Sequence, residues 1–136
     1  MRIMAIDYGD ARTGVAVSDV TGTLTGDAFV ITEWNAERLA DCISAEAKSR
    51  GVERIVIGHP LNMDGTKGPR AEKCEALSDA VAEKSGIPVS LWDERRTTVD
   101  AHRILSDVGK HGKKRKQTVD AVAASLILEG YLASVR

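Results

Sequence analysis

Asp7 sits where strand chemistry tolerates a carboxylate poorly. Alternation along residues 2–8 puts it on one face with Ile3 and Ala5, in an otherwise apolar run. A carboxylate there costs several kcal/mol unless a cation or hydrogen bonds satisfy it. The ordinary alternative is a strand-end Asp that accepts hydrogen bonds from the Gly9 turn. Asp93 and Glu94 close a later apolar run, at the sheet edge where open α/β proteins gather ligands. Successive strand residues point to opposite faces, so one of the two faces any common site; charge exchange with Arg95 and Arg96 is the ordinary alternative. Asp120 heads the helical stripe Asp120, Ala123, Ala124, Ile127, Tyr131. Its two alanines would let that helix press against a sheet. An acidic side chain complementing the helix dipole is the bland reading.

Taken together, these residues put carboxylates on a first strand, a later parallel strand and a final helix, which is a metal-site arrangement. Oxygen-only ligands select Mg²⁺ or Mn²⁺ over zinc. Two such ions about 3.5–4 Å apart activate a water and stabilise the leaving oxygen of a phosphodiester. No Ser–His–Asp or Cys–His arrangement competes with this chemistry.

The cations support the same reading. Arg95, Arg96, Arg103, Lys110, Lys113, Lys114, Arg115 and Lys116 face only Asp100 and Asp107 in residues 95–118, a segment of +6 in a chain of net −1. The remainder is therefore −7, and such segregation resembles a phosphate-binding surface. The Gly-rich stretch 58–70 offers backbone N–H groups, with Asn62, Lys67 and Arg70 as side-chain donors. It lacks the Gly-Lys-Ser/Thr ending of a nucleotide-binding P-loop. His59 reads as a hydrogen-bonding loop histidine, and Tyr8 and Trp92 as core residues rather than base-stacking platforms.

The elements that must position these groups follow from periodicity. Residues 2–8, 12–18 and 24–32 read as strands joined by tight turns, which forces an antiparallel meander. Asn35 caps a predicted helix over 36–50 that Gly51 stops, and 54–58 is a buried parallel strand. Pro69 opens a helix to Lys84, and 89–92 is a fifth strand. Thr97 with Asp100 suggests a capping box for a short helix to Asp107; then come a basic loop over 108–116 and a last helix over 117–134. The expected fold class is α/β, one five-stranded mixed sheet covered by helices, in a single domain of 136 residues. Cys42 and Cys74, each on an apolar helical stripe, read as core thiols of a reducing cytoplasm. No apolar run is long enough for a membrane span, and Met1–Met4 leads straight into a strand without a secretory leader.

At this point the motifs resemble a known family. Ile6-Asp7-Tyr8-Gly9 with Gly14-Val15-Ala16-Val17-Ser18-Asp19 is similar to the opening motif of the YqgF family of ribosomal RNA maturation nucleases. Gly58–Thr66 with Gly68-Pro69-Arg70, Asp93-Glu94-Arg95 with Thr97-Thr98, and Val119-Asp120 with Ala123-Ala124 resemble the other three, in order across nearly the whole chain. Ala11 replaces the usual basic residue before Arg12, and Arg96 the usual apolar one after Asp-Glu-Arg.

The resemblance implies a ribonuclease H-like fold, shared with Holliday junction resolvases, and 5′-end maturation of precursor 16S ribosomal RNA in pre-ribosomal particles. It implies metal ligands at Asp7, Glu94 and Asp120, choosing Glu94 over Asp93. Arg12, Asn62, Lys67, Arg70, Arg95, Lys113, Lys114, Arg115 and Lys116 are the expected substrate contacts. Alternative readings are a four-way DNA junction resolvase, which needs a symmetric dimer where the maturation enzyme could be a monomer, and a non-catalytic RNA-binding assembly factor. A sugar-kinase-like or actin-like ATPase would share the Asp-x-Gly opening but needs paired domains that this length does not allow.

Overall fold

Three hydrophobic runs separated by tight turns pair in sequence order, as a meander must. In the computed structural model, which describes residues 1–96 and 112–135, they are β1 (Ile3–Asp7), β2 (Arg12–Ser18) and β3 (Thr25–Thr32). The register sets Asp7 opposite Gly14 and Val15 opposite Phe29. The chain then changes period. Asn35 accepts a hydrogen bond from the Arg38 N–H at 3.0 Å and starts α1 (Ala36–Ser49). β4 (Arg54–His59) lies parallel to β1, Pro69 opens α2 (Pro69–Ser85), and β5 (Val89–Asp93) lies parallel to β4. Gly86, at φ 70°, takes the left-handed conformation that ends α2. A 3₁₀ turn (Glu94–Arg96) follows, and α3 (Gly112–Ser134) closes the described chain.

The sheet order is β3-β2-β1-β4-β5, the expected five-stranded mixed sheet. Strand alternation divides its side chains between two cores. Met4, Ile6, Val15, Ile55 and Ile57 pack against Leu39 and Ile43 of α1 and Leu77 and Val81 of α2. Ile3, Ala5, Ala16, Val56 and Trp92 pack on the opposite face against Ala124, Ile127, Leu128 and Leu132 of α3. Asp7 continues the series Ile3, Ala5, so its side chain faces α3.

Two expectations are corrected. Lys113, Lys114, Arg115 and Lys116 do not form a loop: α3 begins at Gly112 and carries them on its opening turns. The loop reading rested on charge, yet Lys and Arg are good helix formers and nothing after Gly112 breaks a helix. Cys42 is not a core thiol but exposed, whereas Cys74 is buried. The buried stripe of α1 runs through Leu39, Ala40, Ile43, Ser44 and Ala47. Cys42 lies about 130° around the helix from its centre, at 3.6 residues per turn. The expected helix over 97–107 and residues 108–111 of the basic segment fall outside the described residues.

Candidate active site

Asp7 ends β1, on the face that α3 covers. Glu94 follows β5 directly and reaches the same face over Gly58: a Cβ on that glycine would lie 2.5 Å from Glu94 Oε1 and 2.8 Å from Ile127 Cδ1. Asp120 arrives from α3, whose backbone passes over Gly14, the pairing partner of Asp7. Two strand ends and one helix thus gather the three carboxylates at the carboxyl edge of the parallel strands, where ligands of α/β sheets collect.

Their electrostatics reflect that crowding. Burial, then the charge of Glu94, a hydrogen bond to it and the charge of Asp120 push the Asp7 carboxyl up to about 8, against a weaker opposing pull from Arg70. In the absence of a cation both shifts favour a proton held by Asp7 in its hydrogen bond to Glu94. Burial also raises Glu94, opposed by that hydrogen bond, Arg70 and His59. Burial raises Asp120, opposed by Arg12, whose Nε lies 3.5 Å from Asp120 Oδ2. Like charges held in a partly dry site demand either a shared proton or a cation.

The matching family model, RuvX, described as Holliday junction resolvase, covers residues 1–134. This chain belongs to the RuvX family. A relative from Halothermothrix orenii, named "Putative pre-16S rRNA nuclease", is 46% identical over 132 residues, covering 97% of this chain and 94% of its own. One of the same name from Ruminiclostridium cellulolyticum is 42% identical over 133 residues, with 97% and 94% coverage. Among solved structures, T. thermophilus RuvC in complex with a Holliday junction substrate superposes at a TM-score of 0.58 with 18% identity, over 99% of this chain and 96% of that one. That likeness shows the fold, a RuvC-like resolvase fold of the ribonuclease H-like class.

Within this RuvX-family fold, Asp93 and Glu94 diverge. Asp93 pairs with His59 in the register and binds its own neighbour, accepting from Arg95 Nη2 at 2.7 Å and from the Arg95 N–H at 3.0 Å. Trp92 packs toward α3 and Glu94 reaches the α3 face over Gly58, whereas Asp93 engages Arg95.

Of the expected substrate-binding residues, those whose side chains are described are held by partners within the protein. Arg12 pairs with Asp120, and Lys67 Nζ lies 2.9 Å from Glu75 Oε2. Arg70 donates to Asp10 Oδ1 at 2.7 Å and to the Tyr8 carbonyl, with its guanidinium 4.8 Å from the centre of the Tyr8 ring. Arg95 donates to the Met63 carbonyl at 3.3 Å, tying the Gly-rich loop to β5. Asn62 donates to Thr66 Oγ1 at 2.9 Å, and the amides of Asn62, Gly65 and Thr66 all bond inside the loop. The loop is therefore a braced turn, and those amides do not form a phosphate cradle. His59 closes β4 rather than lying in the loop; it is buried, and its Nε2 is 2.8 Å from Glu75 Oε2. Sequence reasoning missed Glu75, which joins His59 to Lys67, and the close approaches at Gly14 and Gly58. The i, i+8 pairing of Lys67 with Glu75 across a helix start leaves no periodic signal.

The donor set fits a hard divalent cation: oxygen ligands only, mutually repelling, partly desolvated. Among the described residues no three His, Cys, Asp or Glu side chains already converge as a cage. Asp120 turns toward Arg12 instead.

Proposed function

We propose that this chain is a divalent-metal-dependent nuclease that hydrolyses phosphodiester bonds of precursor 16S ribosomal RNA in the cytoplasm. The approach of Asp7, Glu94 and Asp120 to one another on the sheet face that α3 covers, over Gly58 and Gly14, carries the reading. Three carboxylates crowded into a partly dry edge, with Arg12 and Arg70 beside them, suit a site that takes up a cation. The names of the relatives support precursor 16S RNA as the substrate.

Asp7, Glu94 and Asp120 would hold Mg²⁺ or Mn²⁺. When bound, the cation supplies Lewis-acid chemistry: it eases deprotonation of the attacking water and stabilises charge on the leaving oxygen. To hold a cation Asp7 would have to be in its carboxylate form and Asp120 released from Arg12, whose guanidinium would then be available to a phosphate. Arg70 stays near Asp7 and Glu94 and offsets their charge. Asn62, Lys67, Arg95, Lys113, Lys114, Arg115 and Lys116 would hold the RNA backbone, Arg95 also keeping the braced loop beside β5.

The description of the family favours a second reading, cleavage of four-way DNA junctions, which requires a dimer to make paired cuts. End-labelled 5′-extended 16S RNA and a four-way DNA junction, each with Mn²⁺, Mg²⁺ or EDTA and with Asp7→Asn, separate the readings. RNA cutting that disappears with EDTA and in the variant supports the maturation nuclease. Paired junction cuts support the resolvase. RNA binding without cutting under any condition leaves a binding factor.

A further inference from the structure

On the opposite side of β1 from Asp7, a cavity of about 530 Å³ opens between the start of α1 and the second turn of α2. Its size lies within the range of small-ligand sites, about 300–1,000 Å³. Tyr8, Trp34 and Leu77 give it apolar walls, and Asp10, Glu37 and Lys73 stand at its rim. Trp34 is 76% exposed, although tryptophan is highly buried on average. Its backbone is nevertheless braced: the Glu33 N–H donates to the Ala11 carbonyl at 2.9 Å and the Asn35 N–H to Glu33 Oε2 at 3.1 Å. The indole is thus presented on a fixed turn.

We infer that this groove binds an unpaired nucleobase of the substrate strand, stacked on Trp34, with its phosphate taken by Lys73. The inference rests on the nucleic-acid reading above and adds a subsite to it. Three observations favour a nucleotide over an apolar peptide. Trp34 offers an open flat face on which any base stacks, above a wall of Leu77 and of Tyr8 under the Arg70 guanidinium. The rim carries Lys73 together with Asp10, bonded to Arg70, and Glu37, 3.5 Å from Lys84 Nζ; the remaining lone pairs of the two carboxylates can accept from base N–H groups. Lys73 Nζ is 3.8 Å from Asp10, too long for a hydrogen bond, so a phosphate can draw it away. Finally, Arg70 connects groove and carboxylates: its guanidinium covers the Tyr8 ring, binds Asp10, and lowers both Asp7 and Glu94. A strand crossing Arg70 would run from the groove toward the carboxylate edge.

The test compares binding of a blunt RNA duplex with the same duplex bearing a short single-stranded tail, in EDTA so that neither is cut. Tryptophan fluorescence supplies a second readout, since Trp34 is exposed and the chain's other tryptophan, Trp92, is buried. Wild type is expected to prefer the tailed RNA by about fivefold to a hundredfold, the range for stacking one base, with Trp34 quenched. Trp34→Ala should lose that preference and Trp34→Phe should keep most of it. Equal affinity of wild type for both RNAs, or an unchanged preference in Trp34→Ala, overturns the subsite. A parallel assay with Mn²⁺ separates the two failures. Cutting without tail preference discards the groove and leaves the nuclease. Tail preference without cutting discards the nuclease and keeps the groove.

Discussion

A Cβ on Gly14 would fall 1.9 Å from the backbone oxygen of Asp120 and 2.5 Å from its carbonyl carbon. The glycine is what lets α3 lie directly on β2, next to the strand position that pairs with Asp7. Backbone cannot yield as a flexible side-chain tip does, so Gly14→Ala must push the helix away and carry Asp120 with it. We expect a loss of about 1–3 kcal/mol in urea unfolding, the usual cost of overpacking. RNA cutting should fall further than the unfolded fraction explains. A variant with unchanged stability and activity would contradict the close approach.

Asp7 makes the metal-free protein pH-sensitive. Its carboxyl is raised from 3.8 to about 8 on folding, so between those values the folded chain binds the extra proton. Stability contributed by this group is complete below its unfolded value and lost as pH rises through the folded one. In EDTA the melting temperature should therefore decline from about pH 4 to about pH 8. Asp7→Asn should flatten the slope and melt higher than wild type at pH 8. Some slope will remain, because Glu94 and Asp120 are shifted in the same direction. A melting temperature that climbs steadily across this interval, with wild type and variant superimposed, counts against the buried acid.

The same charge cluster predicts stabilisation by metal. At alkaline pH, Mg²⁺ or Mn²⁺ at a hundred times its dissociation constant should stabilise wild type by about 2.7 kcal/mol. Asp7→Asn and Glu94→Gln should show little of this in a thermal melt, and EDTA should reverse it. Equal stabilisation of all three proteins would place the metal elsewhere.

Glu94 and Asp93 should separate cleanly in activity. Glu94→Gln removes a carboxylate from the shared site and is expected to abolish cutting. Asp93→Asn only weakens the hold on Arg95, and through it on the Met63 carbonyl, so the RNA should bind more weakly while the maximal rate changes by less than about tenfold. Single-turnover rates at saturating RNA distinguish the two; a larger loss of rate in the Asp93 variant would reverse the assignment.

Local chemistry made much of this protein legible. Asn35, Gly51, Pro69 and Gly86 mark helix ends because caps and left-handed turns act within a few residues. The strands of the meander were readable because their period is short and their turns are tight. Alternation alone put Asp7 on the face of Ile3 and Ala5, the face that α3 covers. Where a side chain's surroundings depend on distant chain, reading failed. Cys42 looked apolar-facing because the stripe of α1 has a width that only the opposing sheet and α2 define. The cations looked free for phosphate, yet Arg12, Lys67, Arg70 and Arg95 each find a partner, with Arg70 reaching Asp10 across 60 positions. Local patterns identified the strands, the first two helices and the carboxylates available to them, and the motif resemblance already favoured Glu94 over Asp93. The fold supplies what no motif could: Glu94 reaches Asp7 over Gly58, and α3 lies on β2 because Gly14 leaves it room. Which strand-end side chain faces a helix, and how close two backbones come, depend on packing between segments far apart in the chain, and no local pattern records that.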